Sequence, residues 1–208
     1  MVVAPAKRYT PAEYLEREEQ ADYKSELIEG EIIAMAGASA NHNILTGKLY
    51  TRLLLALEDL DYSVFMSDMR LWLPQHESYL YPDVMVVAGE PKFTDRKQTA
   101  VTNPCLIVEV LSSSTEQYDK SAKFQLYRSI PSLKEYLLLD QTAYRLEQFA
   151  KLAKPMGEAP MSQNPQWLLT EWSGAEAVVT LSSVPVEIGL ADLYKRVNFQ
   201  SKSPLAEN

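Results

Sequence analysis

The stretches YPDVMVV at 81–87 and PCLIVEVL at 104–111 decide how this chain folds. Both are rich in Val, Ile and Leu without a polar alternation. That pattern marks central strands covered on both faces. Yet each carries a carboxylate: Asp83 opens the first run and Glu109 sits inside the second. A charge buried in such a strand is costly unless it is paired or bound to a metal. Pro82 has no N–H, which suits the point where ladder pairing begins. Glu109 lies 26 residues beyond Asp83, room enough for a connecting loop. Two acids near adjacent ends of neighbouring strands can share a divalent ion. Magnesium takes one or two carboxylates together with waters and substrate phosphate. A lysine beside it would stabilise an attacking hydroxide or the charge developing on phosphorus. Each acid also has a plainer reading: Asp83 as a turn cap, and Glu109 as the partner of an arginine such as Arg70.

Outward from these runs, Thr10-Pro11 with Glu13 predicts a helix to about Gln20, with Thr as cap and an acid complementing the dipole. SELIEGEIIAMA reads as a hairpin with Glu29-Gly30 at the turn. Asn41 or Asn43 can cap the next helix, whose apolar face is Leu45, Leu49, Leu53, Ala56 and Leu60. YSVFMSDMRLWL predicts one strand and YLYPDVMVV another, followed by a loop with Pro91 and then CLIVEVL. Ser114 or Thr115 can cap a helix over EQYDKSAKFQLYRS, and KEYLLLD is the next strand. AYRLEQFAKL, PQWLLTEW and AVVTLSS read as further strands, and VPVEIGLADLYKRV ends in a short helix. The whole is α/β, a mixed central sheet flanked by helices with a β-rich C-terminal extension. A single domain over 1–199, with its core at about 24–150, and a loose polar tail at 200–208 are expected.

Composition bounds the function. The 208 residues are 46% hydrophobic and 23% charged, as in ordinary globular proteins. No apolar run approaches the roughly 18–20 residues of a membrane span, and the start is too short in apolar residues for a signal peptide. A cytoplasmic location is expected. One cysteine, Cys105, excludes an internal disulfide and a zinc–cysteine cluster, and its buried strand suggests an inert thiol. Two histidines, and no GxSxG, P-loop or GxGxxG motif, leave little for other chemistries. The net charge of −8 opposes an anionic partner, but residues 11–31 alone hold eight acids against two bases. Residues 92–128 hold six bases and four acids, so one face differs from the average.

The motifs ELIEGEI, NHNILTGKLYTRL, YPDVMVV, PCLIVEVLSSST, YDKSAKFQLYR and LKEYLLLD resemble, in this order, the blocks of the Uma-two family of restriction endonuclease-like proteins. That family belongs to the PD-(D/E)XK nuclease superfamily. The resemblance spans about Tyr9 to Phe149. It implies a restriction-endonuclease-like core in which Asp83 and Glu109 hold Mg²⁺, with Mn²⁺ able to substitute, and Glu26 is a further acid at the metal. The signature lysine, two residues after the glutamate, is replaced by Leu111. The resemblance places the lysine on the following helix instead, at Lys123. Asp119 lies one turn before it on the same face, and a surface Lys123–Asp119 pair is the plainer reading.

His42, near a helix start, is a candidate for touching phosphate or water. Lys48 and Arg52 are further candidates on the same helix, and Ser112 to Thr115 could meet phosphate through hydroxyls and a helix N-terminus. The resulting expectation is a metal-dependent endonuclease acting on nucleic acid, DNA in particular, as a homodimer, with no membrane partner. The alternative is a nuclease-fold module, weakly active or inactive, that binds nucleic acid or a protein. The −8 charge and the missing strand lysine favour it. Hydrolysis of a smaller phosphoester is a third possibility.

Overall fold

The computed structural model describes residues 7–112, 116–152 and 165–199. Helix α1 (Pro11–Glu18) starts at a capping box in which Thr10 and Glu13 satisfy each other's backbone N–H groups. Strands β1 (Ser25–Ile28) and β2 (Glu31–Ala34) form the expected hairpin. Its turn residues Glu29 and Gly30 have φ of 48° and 90°, the left-handed pair that a two-residue hairpin requires.

Helix α2 (Ala40–Leu57) differs from expectation at both ends. Its cap is Ser39, whose hydroxyl accepts the His42 N–H at 3.1 Å, not Asn41 or Asn43. The Asn41 side chain is taken by the carbonyls of Gln141 and Asn198. The buried face of α2 is Leu45, Leu49, Leu53 and Leu57. Ala56 and Leu60 are exposed. A strict four-residue spacing keeps the stripe on one face, and the helix ends before Leu60 can join it.

The two longest expected strands each divide. The first becomes β3 (Tyr62–Met66) and β4 (Arg70–Leu73), broken at Ser67 with φ 35°. The second becomes β5 (Ser78–Leu80) and β6 (Val84–Ala88), broken at Pro82, which cannot donate to a ladder. A two-residue strand, β7 (Ala100–Val101), carries too little pattern to be read from sequence. Then come β8 (Leu106–Leu111), α3 (Glu116–Tyr118), a π-helical turn over Asp119–Lys123, α4 (Phe124–Tyr127) and β9 (Glu135–Asp140). The expected caps Ser114 and Thr115, with Ser113, lie outside the described residues, as does the 200–208 tail. Strands β10 (Arg145–Lys151), β11 (Trp167–Ser173), β12 (Val178–Thr180) and β13 (Glu187–Gly189) lead to α5 (Leu190–Leu193).

Among the described residues, the larger sheet has the order β11-β10-β9-β8-β6-β3, with β8 and β9 parallel and the other pairs antiparallel. The smaller has the order β2-β1-β5-β4-β7. Each split strand therefore sends one half to each sheet. The double covering of β6 and β8 is visible in their alternation. Val84, Val86, Val108 and Val110 pack in one apolar cluster with α2. Met85, Ile107 and Leu111 pack in a second with Phe124, Tyr127 and residues of β4 and β5.

The C-terminal hairpin and α5 join the α2 cluster through Val179, Ile188, Leu190 and Leu193. The fully buried Glu135 carboxylate accepts the N–H groups of Ser182 and Ser183 and holds that hairpin's turn. Among the described residues no helix is long and apolar enough to cross a membrane.

Candidate active site

The site lies where the chain passes between the two sheets. The β6–β8 register pairs Val84 with Val108. Asp83 immediately precedes Val84 and Glu109 immediately follows Val108, so both stand where that pairing ends. Strand β8 runs past the start of β6, and the Val110 N–H there has no ladder partner on that side. The Asp83 carboxylate takes it at 2.8 Å. Its Oδ2 also meets His42 Nε2 at 3.1 Å, at the N-terminal end of α2.

Glu109 faces inward. Its Oε1 accepts the Tyr127 hydroxyl at 2.7 Å and meets the Lys123 ammonium at 2.9 Å. Lys123 reaches two further carboxylates: Glu26 at 3.5 Å and Asp119 at 3.7 Å. Glu26 comes from β1 in the smaller sheet and is fixed by the Tyr81 N–H at 3.0 Å. Lys123 and Asp119 are the two ends of the π-helical turn, and both are buried. Such turns occur frequently at functional sites. The surface-pair reading of Lys123 and Asp119 is therefore replaced by a buried cluster. Arg70 forms no ion pair with Glu109 among the described residues; the cation on Glu109 is Lys123.

Three carboxyl groups thus meet one ammonium, and Asp83 stands as a fourth acid beside Glu109. Burial, with the charges of Asp83, Asp119 and Glu26 adding to it and Lys123 opposing, pushes the Glu109 carboxyl up to about 8. Burial works against the Lys123 charge, but Glu109, Glu26 and Asp119 outweigh it and hold the ammonium well above its ordinary value. This surplus of acidic oxygen donors over one ammonium fits a hard divalent cation, which would displace the Glu109 proton. Among the described residues, no group of three or more His, Cys, Asp and Glu side chains closes around a metal position. What the site offers is a neighbouring pair, Asp83 and Glu109, which matches magnesium's habit of keeping several waters. Glu26 stands beyond the pair, on the same ammonium.

Exposure defines the approach. The Asp83 and His42 side chains are 15% and 18% exposed, against 5% and 8% for Glu109 and Lys123. A ligand arriving from solvent meets Asp83 and His42 first. Of the other expected residues, Ser112 is half-buried just beyond β8, and its carbonyl accepts the Glu116 N–H. The structure does not bring Lys48 and Arg52 to the cluster. Lys48 donates to the Asp192 and Lys195 carbonyls, and Arg52 to that of Glu187, so both tie the C-terminal segment to α2. Sequence reasoning missed the tyrosines. Tyr127 bonds Glu109, and Tyr136 donates to the Asp119 carbonyl at 3.2 Å. Tyr127 stands four residues after Lys123, one helical turn on, which was the available signal.

A mixed sheet that presents two acids across adjacent strands, with a lysine from the following helix, defines a nuclease-like α/β domain. The fold matches a solved structure described as a "putative nuclease belonging to DUF820" from Anabaena variabilis, with a TM-score of 0.69 and 16% identity. That match covers 90% of this chain and 98% of the other. The chain belongs to the Uma2 family, described as "Putative restriction endonuclease", whose model matches residues 11–180. Two relatives come from Synechocystis. The protein sll1609 is 55% identical over 89% of this chain and 99% of its own length. The protein slr1290 is 33% identical over 94% of this chain and 96% of its own length.

Proposed function

We propose that this chain is a Mg²⁺-dependent endonuclease that hydrolyses phosphodiester bonds in DNA. The observation that supports it most is the placing of Asp83 and Glu109 where the β6–β8 pairing ends, with the Lys123 ammonium 2.9 Å from Glu109. Asp83 and Glu109 would hold the cation, with Glu26 beside them, and Mn²⁺ would serve in its place. The metal supplies Lewis acidity and a more acidic bound water. Asp83, the more exposed ligand, keeps one oxygen fixed by the Val110 N–H and so aims the carboxylate without freezing it to the core. Lys123 holds positive charge where negative charge grows as water attacks phosphorus. His42 stands on the open side, against Asp83, placed to meet a phosphate or orient a water. Cutting both strands of a duplex calls for two such sites, hence a homodimer.

A second reading, a nuclease-fold module that binds without cutting, draws support from Lys123: three carboxylates already satisfy its ammonium. The test is cleavage of supercoiled and linear duplex DNA with Mg²⁺ or Mn²⁺, comparing wild type with Asp83→Asn and Glu109→Gln. Metal-dependent nicking that both substitutions abolish is expected. Metal-dependent DNA binding without cleavage would favour the binding module, and cleavage that survives both substitutions would refute this assignment of the site.

A further inference from the structure

Tyr118 ends α3 immediately before the π-helical turn. Its hydroxyl oxygen is buried and has no hydrogen-bond partner among the described residues. An unsatisfied buried hydroxyl is costly, so a fold that keeps one invites a second state in which it is bonded. Its charged surroundings are those of the active site. Burial first, and then the Glu26 charge, hold its pKa well above the ordinary tyrosine value, with Asp119 and Glu109 adding and Lys123 opposing. The phenol therefore stays protonated and serves as a donor. Glu26 is the charge that acts on it most strongly. The Tyr81 N–H and the Lys123 ammonium both address its Oε1.

We propose that Tyr118 is a positioning residue for the divalent cation: its hydroxyl donates to Glu26 Oε2 once a cation enters the carboxylate cluster. This rests on the metal-site reading above. A cation at Asp83 and Glu109 would repel Lys123 and loosen its 3.5 Å contact with Glu26. A neutral donor then fixes the carboxylate's orientation without competing for charge. Such outer partners commonly set metal affinity by about 10–100-fold.

The experiment is a calorimetric Mn²⁺ titration of wild type, Tyr118→Phe, Glu26→Gln and the double variant, with thermal melts of each protein without metal. Tyr118→Phe should melt at or above the wild-type temperature, because it removes an unsatisfied polar group. It should nonetheless bind Mn²⁺ about 10-fold more weakly. The double variant should bind no more weakly than Glu26→Gln alone, since the hydroxyl acts through that carboxylate. Unchanged affinity in Tyr118→Phe, a melting temperature several degrees lower, or additive losses in the double variant would each overturn the proposal and leave the metal site standing. Absence of Mn²⁺ binding in wild type would overturn the metal site and this proposal together.

Discussion

Replacing Lys123 with Met removes an ammonium that meets Glu109, Glu26 and Asp119 at 2.9, 3.5 and 3.7 Å, while leaving an apolar stem of similar size. All four side chains are at least nine-tenths buried, so water cannot replace the lost charge. Removing one partner of a buried ion pair costs about 3–5 kcal/mol. In a domain of this size that is a fall of roughly 6–20 °C in melting temperature. The loss should depend on pH. Glu109 is already pushed up to about 8 by burial and its acidic neighbours, so without Lys123 the carboxyls relieve repulsion by taking protons. The penalty should therefore be smaller at about pH 5.5 than at about pH 8.5. Circular-dichroism melts at several pH values measure this directly. Adding Glu109→Gln to Lys123→Met should recover part of the loss, because it removes one stranded carboxylate. A Lys123→Met protein melting within about 2 °C of wild type at the higher pH would show that the ammonium does not hold this cluster together.

Three further outcomes are expected. In wild type without metal, the folded state keeps the Glu109 proton that the unfolded chain releases above its ordinary value of 4.5, so this group's contribution makes stability fall as pH rises from 4.5 towards 8; denaturant titrations at about pH 5.5 and about pH 7.5 check the sign, and an added divalent cation should reverse it. Asp83→Asn should abolish metal-dependent cleavage yet cost no more than about 1 kcal/mol of stability, since its amide oxygen can still accept the Val110 N–H; urea unfolding measures that. Cys105, 2% exposed and with its thiol pushed up to about 11 by burial, should resist a thiol reagent at about pH 8 until the protein is unfolded.

The parts of the fold legible in the sequence are those where local pattern and tertiary outcome agree. The apolar runs of β6 and β8 lie between two layers, as their lack of polar alternation requires. The Glu29-Gly30 hairpin followed from turn chemistry alone. The division of residues 62–73 and 79–87 between two sheets was not legible, because a strand's apolar pattern says nothing about which sheet it joins. Only Pro82 marked a break, and Ser67 gave no comparable sign. For the site, Asp83 and Glu109 stood out because buried charge conflicts with its surroundings. Lys123 was marked by the family resemblance alone: on a helix, a lysine one turn from an aspartate looks like solvent-facing pairing. Its burial arises from the smaller sheet, whose Glu26 closes over it from β1, and that is long-range packing no local pattern carries. Lys48 and Arg52 show the reverse error. They looked like free cations because their partners, the carbonyls of residues 187, 192 and 195, lie at least 135 positions away.

The move of the lysine from strand to helix can be understood as a consequence of packing. The side chain two residues after Glu109 is Leu111, and it is buried in the cluster with Phe124, Tyr127 and Tyr136. A lysine there would need its ammonium inside an apolar layer, or a stem long enough to escape it, and either costs more than a leucine. The helix that follows β8 turns back over the same layer and brings Phe124 and Tyr127 onto it. The π-helical turn just before them places Lys123 at the margin of that layer where three carboxylates gather. The ammonium beside Glu109 is thus delivered from the covering layer instead of from the sheet. The phosphodiester hydrolysis proposed above would require an ammonium within reach of the two acids, and either origin would provide it. The helical origin adds a dependence the strand lysine lacks: any change that shifts the helix on the sheet, such as Phe124→Ala, should displace the ammonium while leaving Asp83 and Glu109 in register.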